Sequence, residues 1–214
     1  MKKTSFIRIV IVTLCVTCMA ATSDKAKNVL IIGDSISIGY TPFIQKALSP
    51  GINVAHNPGN GGSTTRGVDS LEVWLSNKEW DMVLFNFGLH DLMHRDEQNK
   101  ADVNGKVSVT LEQYRSNLET IVSKLKKTKA LLAFITTTVV PENSAGRKVV
   151  DPAKYNRIAL EVMKKHGIQV IDLYAASQTI HPHNSKPGNV HYTEAGYEQL
   201  AAPLTKAIQS QLQK

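Results

Sequence analysis

Beyond residue 18 the 214-residue chain contains no cysteine. Cys15 and Cys18 both sit in an amino-terminal apolar stretch, so the remainder has no disulfide, no thiol nucleophile and no cysteine-ligated metal. Repeats and low-complexity segments are also missing. No long uninterrupted apolar run is present either. The stretch Phe6 to Ala20 is broken by Arg8 and is short for a membrane span. Lys2 and Lys3 precede it and the small residues Ala20, Ala21 and Ser23 follow. That order is expected of a secretory signal peptide over residues 1–23, cleaved after Ala20, Ala21 or Ser23. The protein is therefore expected to be exported, to the periplasm or the medium, with no stable membrane span after processing.

Processing also reduces the charge. Losing Lys2, Lys3 and Arg8 takes the formal +7 to +4, which weakens any case for nucleic acid as a partner. A hydrophobic content of 42% and a charged content of 20% are ordinary for a globular protein. Residues 24–214 suffice for one domain with a sizeable core.

Within that domain, strand-like and helix-like segments alternate. Asn28–Ile32, Ile52–Ala55, Met82–Phe87, Ala130–Val140 and Ile168–Leu173 read as strands, short and rich in β-branched or aromatic residues. Helices are expected from Ser63 to Leu75, after Thr110, from Pro152 with Asp151 as its N-cap to His166, and after Thr193. Residues 89–108 read as a long loop. The alternation predicts an α/β fold of three layers, with a five-stranded parallel sheet in the flavodoxin-like order 2-1-3-4-5. No Gly-x-Ser-x-Gly elbow is present, so the α/β-hydrolase arrangement does not fit.

The first of these strands runs directly into Gly33-Asp34-Ser35. Ligands in open α/β sheets bind outside the carboxyl ends of the strands, so Ser35 lies where chemistry is usually done. Alone the triplet is an ordinary turn and helix cap. Three further motifs follow in order: Asn57-Pro58-Gly59-Asn60-Gly61-Gly62-Ser63, Phe87-Gly88-Leu89-His90-Asp91 and Asn189-Val190-His191-Tyr192-Thr193. Together with the first block, they resemble the four blocks of the SGNH (GDSL) hydrolases, over nearly the whole chain beyond the leader.

The resemblance implies the same three-layer fold and a serine esterase without cofactor or metal. It makes Ser35 the nucleophile, His191 the base, and the Ser35 and Gly62 backbone N–H groups oxyanion donors. Two positions depart from the family. His90 stands where a side-chain donor asparagine is usual; one imidazole nitrogen can donate in its place, and Asp91 beside it could set its tautomer. Gly188 stands where an aspartate is usual, and no carboxylate occurs from Ile180 through His191. A backbone carbonyl, the Asn189 amide oxygen or a distant aspartate remain as orienting groups for His191, with the first two ahead. Asp34, Asp91 and Asn189 are carried as supporting residues, and Asp172 as a structural cap.

The pairs His90/His94 and His181/His183 have no convincing third partner for a metal, and loop histidines explain them better. Trp74, Trp80, Tyr40 and Tyr155 suit the core. The expected activity is hydrolysis of carboxylic esters through an acyl-enzyme, on short acyl groups, acetyl above all, carried by a glycan. An O-acyltransferase and a non-catalytic carbohydrate-binding relic are the alternatives. A small-molecule or glycan ester is the expected partner. Acyl length and oligomeric state stay open.

Overall fold

The structure is a computed structural model that describes residues 25–212. The expected signal peptide lies outside the described residues. Five strands form the sheet: β1 (Lys27–Ile32), β2 (Ile52–His56), β3 (Met82–Phe85), β6 (Leu131–Ile135) and β7 (Gln169–Ile171). All pair in parallel, in the order β2-β1-β3-β6-β7, as the alternation of segments predicts. Their central residues are apolar on both faces. Val29, Leu30, Ile31, Ile32, Leu84, Phe85 and Phe134 are all fully buried or nearly so, as expected where helices cover both sides.

The helices divide between the two faces. α2 (Thr64–Leu75), α3 (Leu111–Lys126) and α4 (Asp151–His166) pack side by side on one, and α1 (Ser35–Leu48), α5 (Leu173–Ile180) and α6 (Glu194–Leu212) on the other. Helix α3 shows why the sequence folds this way. Tyr114, Leu118, Ile121, Val122 and Leu125 recur at spacings of three and four and make one buried stripe. Each buried aliphatic side chain in it contributes roughly 1.5–3 kcal/mol. Thr110 caps the helix by accepting from Gln113 N–H. The aromatics Tyr40, Trp74 and Tyr155 are core residues and Trp80 is partly buried.

Four details differ from the sequence-based expectation. The loop 89–108 contains a small antiparallel hairpin, β4 (His94–Arg95) with β5 (Lys106–Val107). The fourth strand ends at Ile135 rather than Val140, because Thr136 and Thr137 turn to side-chain partners: Thr136 Oγ1 donates to Asp172, and Thr137 N–H donates to Asn156 Oδ1. The fifth strand ends at Ile171, since Asp172 caps α5 by accepting from Ala175 N–H. Asp151 is the first helical residue of α4 rather than its cap; its carboxylate instead receives Lys154 Nζ and pairs with His94 Nε2.

Among the described residues no helix is long and apolar enough to cross a membrane.

Candidate active site

Connections leave β1 and β3 in opposite directions, and a crevice opens between neighbouring strands where that happens. The ends of β1, β2 and β3 all deliver motif residues to it. Ser35 is the first residue of α1, immediately after β1. Asp34 precedes it as the cap and accepts from Ile36 N–H at 3.0 Å. Asp34 thereby fixes the turn that carries Ser35. The N–H of a first helical residue has no intrahelical acceptor, and that of Ser35 has none among the described residues.

The loop after β2 is stitched to this turn. Gly33 N–H donates to Asn57 Oδ1 at 2.8 Å, and Asn57 Nδ2 donates back to the Gly59 carbonyl at 3.0 Å. Gly61 N–H then donates to the Gly33 carbonyl at 2.8 Å. A Cβ on Gly61 would lie 2.6 Å from that carbonyl oxygen, so only glycine allows the approach. Gly62 follows with φ +67°, the left-handed region. Its N–H donates to Asn60 Oδ1 at 2.8 Å, so Asn60 occupies the donor that the sequence motif reserves for an oxyanion.

His191 comes from the segment before α6. Its Nε2 lies 2.9 Å from Ser35 Oγ, across 156 positions of sequence. Asn189 Oδ1 lies 2.9 Å from His191 Nδ1 and also accepts the His191 backbone N–H at 3.0 Å. That second bond decides the proton positions. A backbone N–H can only donate, so the amide atom facing it is oxygen. The same oxygen then requires Nδ1 to carry a proton, which leaves Nε2 as an acceptor turned toward Ser35 Oγ–H. Of the three orienting groups that the sequence leaves open, the Asn189 amide is the one in place. Its own backbone is held by His181, whose Nε2 lies 2.8 Å from the Asn189 carbonyl.

His90 lies beyond β3, half-buried, with neither ring nitrogen bonded among the described residues. Burial lowers its pKa, and the charges of Arg147, Arg95 and His191 lower it further against the pull of Asp34. Burial and these charges together favour the neutral ring, which has one N–H to donate. Asp91 does not set its tautomer, which corrects the sequence expectation. Successive side chains point apart here, and the Asp91 carboxylate turns inward to accept from Thr64 N–H at 2.9 Å and Thr64 Oγ–H at 2.5 Å. Asn117 Nδ2 donates in turn to Thr64 Oγ1 at 3.0 Å. Asp91 thus locks the start of α2 to the loop that follows β3.

This has a measurable consequence. Asp91 Oδ2 is buried without a partner, and burial pushes the carboxyl up to about 7 despite the Thr64 hydrogen bonds, which lower it. The folded chain then holds the proton more tightly than the unfolded one. Stability from this group is complete below pH 4 and is lost as the pH rises to about 7. Asp91→Asn keeps an oxygen for Thr64 and has no proton to lose. The urea midpoint of the variant is expected to gain on that of the wild type between pH 4 and 7, and to gain no more above that.

The hairpin β4–β5 and the Ser63–Thr65 segment bound a groove of about 850 Å³, with His90, Arg95, Asn99 and Asn104 on its walls. The roles of three residues here escaped the sequence reading: Asn57 and Asn60 act through side-chain to backbone bonds of loops, and Thr64 through bonds to the Asp91 carboxylate, none of which leaves a periodic signal. Among the described residues no group of three His, Cys, Asp or Glu side chains is arranged to hold a metal ion. His94 spends its ring on the Gly105 carbonyl and Asp151.

Residues 31–199 match the model of the GDSL-like lipase/acylhydrolase family. No curated protein matches the chain. Among solved structures, the fold is similar to the lipase/acylhydrolase from Enterococcus faecalis, at 22% identity and a TM-score of 0.71, over 86% of this chain and 96% of that one. It is similar to an acetyl xylan esterase, at 18% identity and 0.70, over 85% and 99%. It is similar to a psychrotrophic esterase from Pseudoalteromonas, at 12% identity and 0.68, over 88% and 100%.

Proposed function

The chain belongs to the GDSL-like lipase/acylhydrolase family, and from that membership we propose an exported serine esterase acting on short acyl groups carried by carbohydrate. Ester hydrolysis itself follows from the family. The serine mechanism rests above all on the 2.9 Å contact between Ser35 Oγ and His191 Nε2.

In this reading His191 takes the Ser35 proton as Oγ attacks the ester carbonyl. Negative charge gathers on the carbonyl oxygen. The Ser35 N–H is free to receive it, His90 donates from its neutral ring, and Gly62 N–H joins when the oxygen displaces Asn60 Oδ1. The imidazolium formed at His191 is held by Asn189 and then protonates the departing alkoxide. Water repeats the sequence in reverse and frees the acid. A neutral His90 suits this arrangement, since a second imidazolium would oppose the charge that His191 acquires.

The polar groove beside His90 supports a hydroxyl-rich substrate, and an acetyl xylan esterase of similar fold offers a precedent for acetyl on a glycan. Hydrolysis of 4-nitrophenyl esters of rising chain length tests the acyl preference. The rate is expected to be highest for acetate and to fall through butyrate to octanoate; an octanoate preference would overturn it.

A separate variant pair tests His90. Removing one oxyanion donor costs about 10²–10³ in kcat in a comparable hole. His90→Ala is therefore expected to lose about 10²-fold in kcat with little change in KM. His90→Asn, which restores an amide donor, should recover most of it.

A further inference from the structure

One charged side chain near the site has no role in the mechanism above and no charged partner. Arg147 lies in the loop before α4. Its backbone N–H donates to the Ser144 carbonyl at 3.2 Å, and the neighbouring Gly146 carbonyl accepts from His94 N–H at 2.6 Å. These bonds fix the loop against the segment that carries His90. The guanidinium is half-buried, and its Nε donates to the Leu89 carbonyl at 2.9 Å, one residue before His90.

An arginine offers five N–H donors in a planar fork. Nε uses one. The four on the two Nη atoms have no acceptor among the described residues, and no carboxylate lies within 4.0 Å of the group. Partial burial of an unpaired cation is costly, and such groups are normally paired. Asp34 lies within range of Arg147, but its carboxylate is buried and already committed to Ile36 N–H. Arg95 adds a second cation nearby, held through Nη1 by the Asn99 carbonyl at 2.8 Å. Two acids of that hairpin are turned to their own turns: Asp96 Oδ1 accepts from Gln98 and Lys100 N–H, and Asp102 Oδ1 from Asn104 N–H; Glu97 also lines the groove. The charges of both arginines are felt at His90. Arg147 thus holds a cation with unused donors against the segment that carries His90.

We propose that Arg147 is a specificity residue: its unpaired Nη donors receive a carboxylate that the ester substrate carries beside the bond Ser35 attacks. A fork that is planar and fixed at Nε suits a carboxylate in two-point contact, which a lysine cannot reproduce. The inference rests on the esterase reading and narrows it to acidic esters. The carboxylate has two sources, an acidic sugar on the alcohol side or a dicarboxylic half-ester on the acyl side.

Two substrate pairs separate them. On the alcohol side, 3-carboxyphenyl acetate is compared with 3-carbamoylphenyl acetate. On the acyl side, 4-nitrophenyl hemisuccinate is compared with 4-nitrophenyl succinamate, with the enzyme-free rate subtracted. In one pair the acid is expected to exceed the amide in kcat/KM by about tenfold, mainly through KM. Arg147→Met should bring that ratio near one. Arg147→Lys, which keeps the charge without the fork, should lower it severalfold, and it decides the matter if the methionine variant folds poorly. A wild-type ratio near one in both pairs, or a ratio that survives in the folded variants, overturns the inference while leaving the esterase intact. Hydrolysis that persists in Ser35→Ala overturns the serine mechanism and this inference with it.

Discussion

Ser35→Ala is expected to lower kcat on an aryl acetate by about 10⁴-fold or more, the scale seen when a serine nucleophile is removed from a hydrolase that works through histidine. The loss should be one of chemistry and not of folding. Ser35 is the first residue of α1, where alanine is a favourable helix former. The cap is supplied by Asp34, which keeps its bond to Ile36 N–H. The variant should therefore melt within a few degrees of the wild type. A serine-directed fluorophosphonate should add once to the wild type and not at all to the variant, read by intact mass. Activity within tenfold of wild type would show that Ser35 does not open the ester, whatever its distance from His191.

That Ser35 lies at a strand end was legible in the sequence, and the reason is physical. Strands buried on both faces read as short unbroken β-branched runs, and Val29–Ile32 ends at a glycine. The same logic located β3 and the stripe of α3. Where polar side chains take over the backbone's hydrogen bonds, the pattern fails. Thr136 and Thr137 are as β-prone as the strand before them, yet their side chain and backbone turn to Asp172 and Asn156. The strands of the β4–β5 hairpin have two residues each, too few to display an alternation. At the site, the motif spacing identified which residues would meet but not how they face. Asp91 turns its carboxylate to Thr64, and Asn60 covers Gly62 N–H; neither follows from adjacency in the chain. Arg147 stands 57 positions from His90, in a loop with no motif, and only the folded chain brings its charge to bear.

The second large effect is expected at Asn189, and it separates a positioning role from a merely structural one. The family pattern places an aspartate three residues before the histidine; here an asparagine stands two before it. In the serine-protease triad, exchanging the aspartate for asparagine costs about 10⁴ in rate because the histidine adopts the wrong tautomer. Asn189 avoids that penalty, since the His191 backbone N–H compels its oxygen to face the ring. What it cannot supply is a negative charge against the imidazolium. Asn189→Ala is expected to lose about 10²–10³ in kcat, below the 10⁴ ceiling because Ser35 Oγ still holds one end of the ring. Asn189→Asp keeps both acceptor bonds and adds the charge, so it should equal or exceed the wild type, with a gain that shrinks as salt is added. Measuring kcat for both variants at low and high ionic strength checks this. Equal losses in the two would mean that residue 189 only maintains the loop; an aspartate that rescues where alanine fails would mean that its oxygen sets the imidazole for proton transfer.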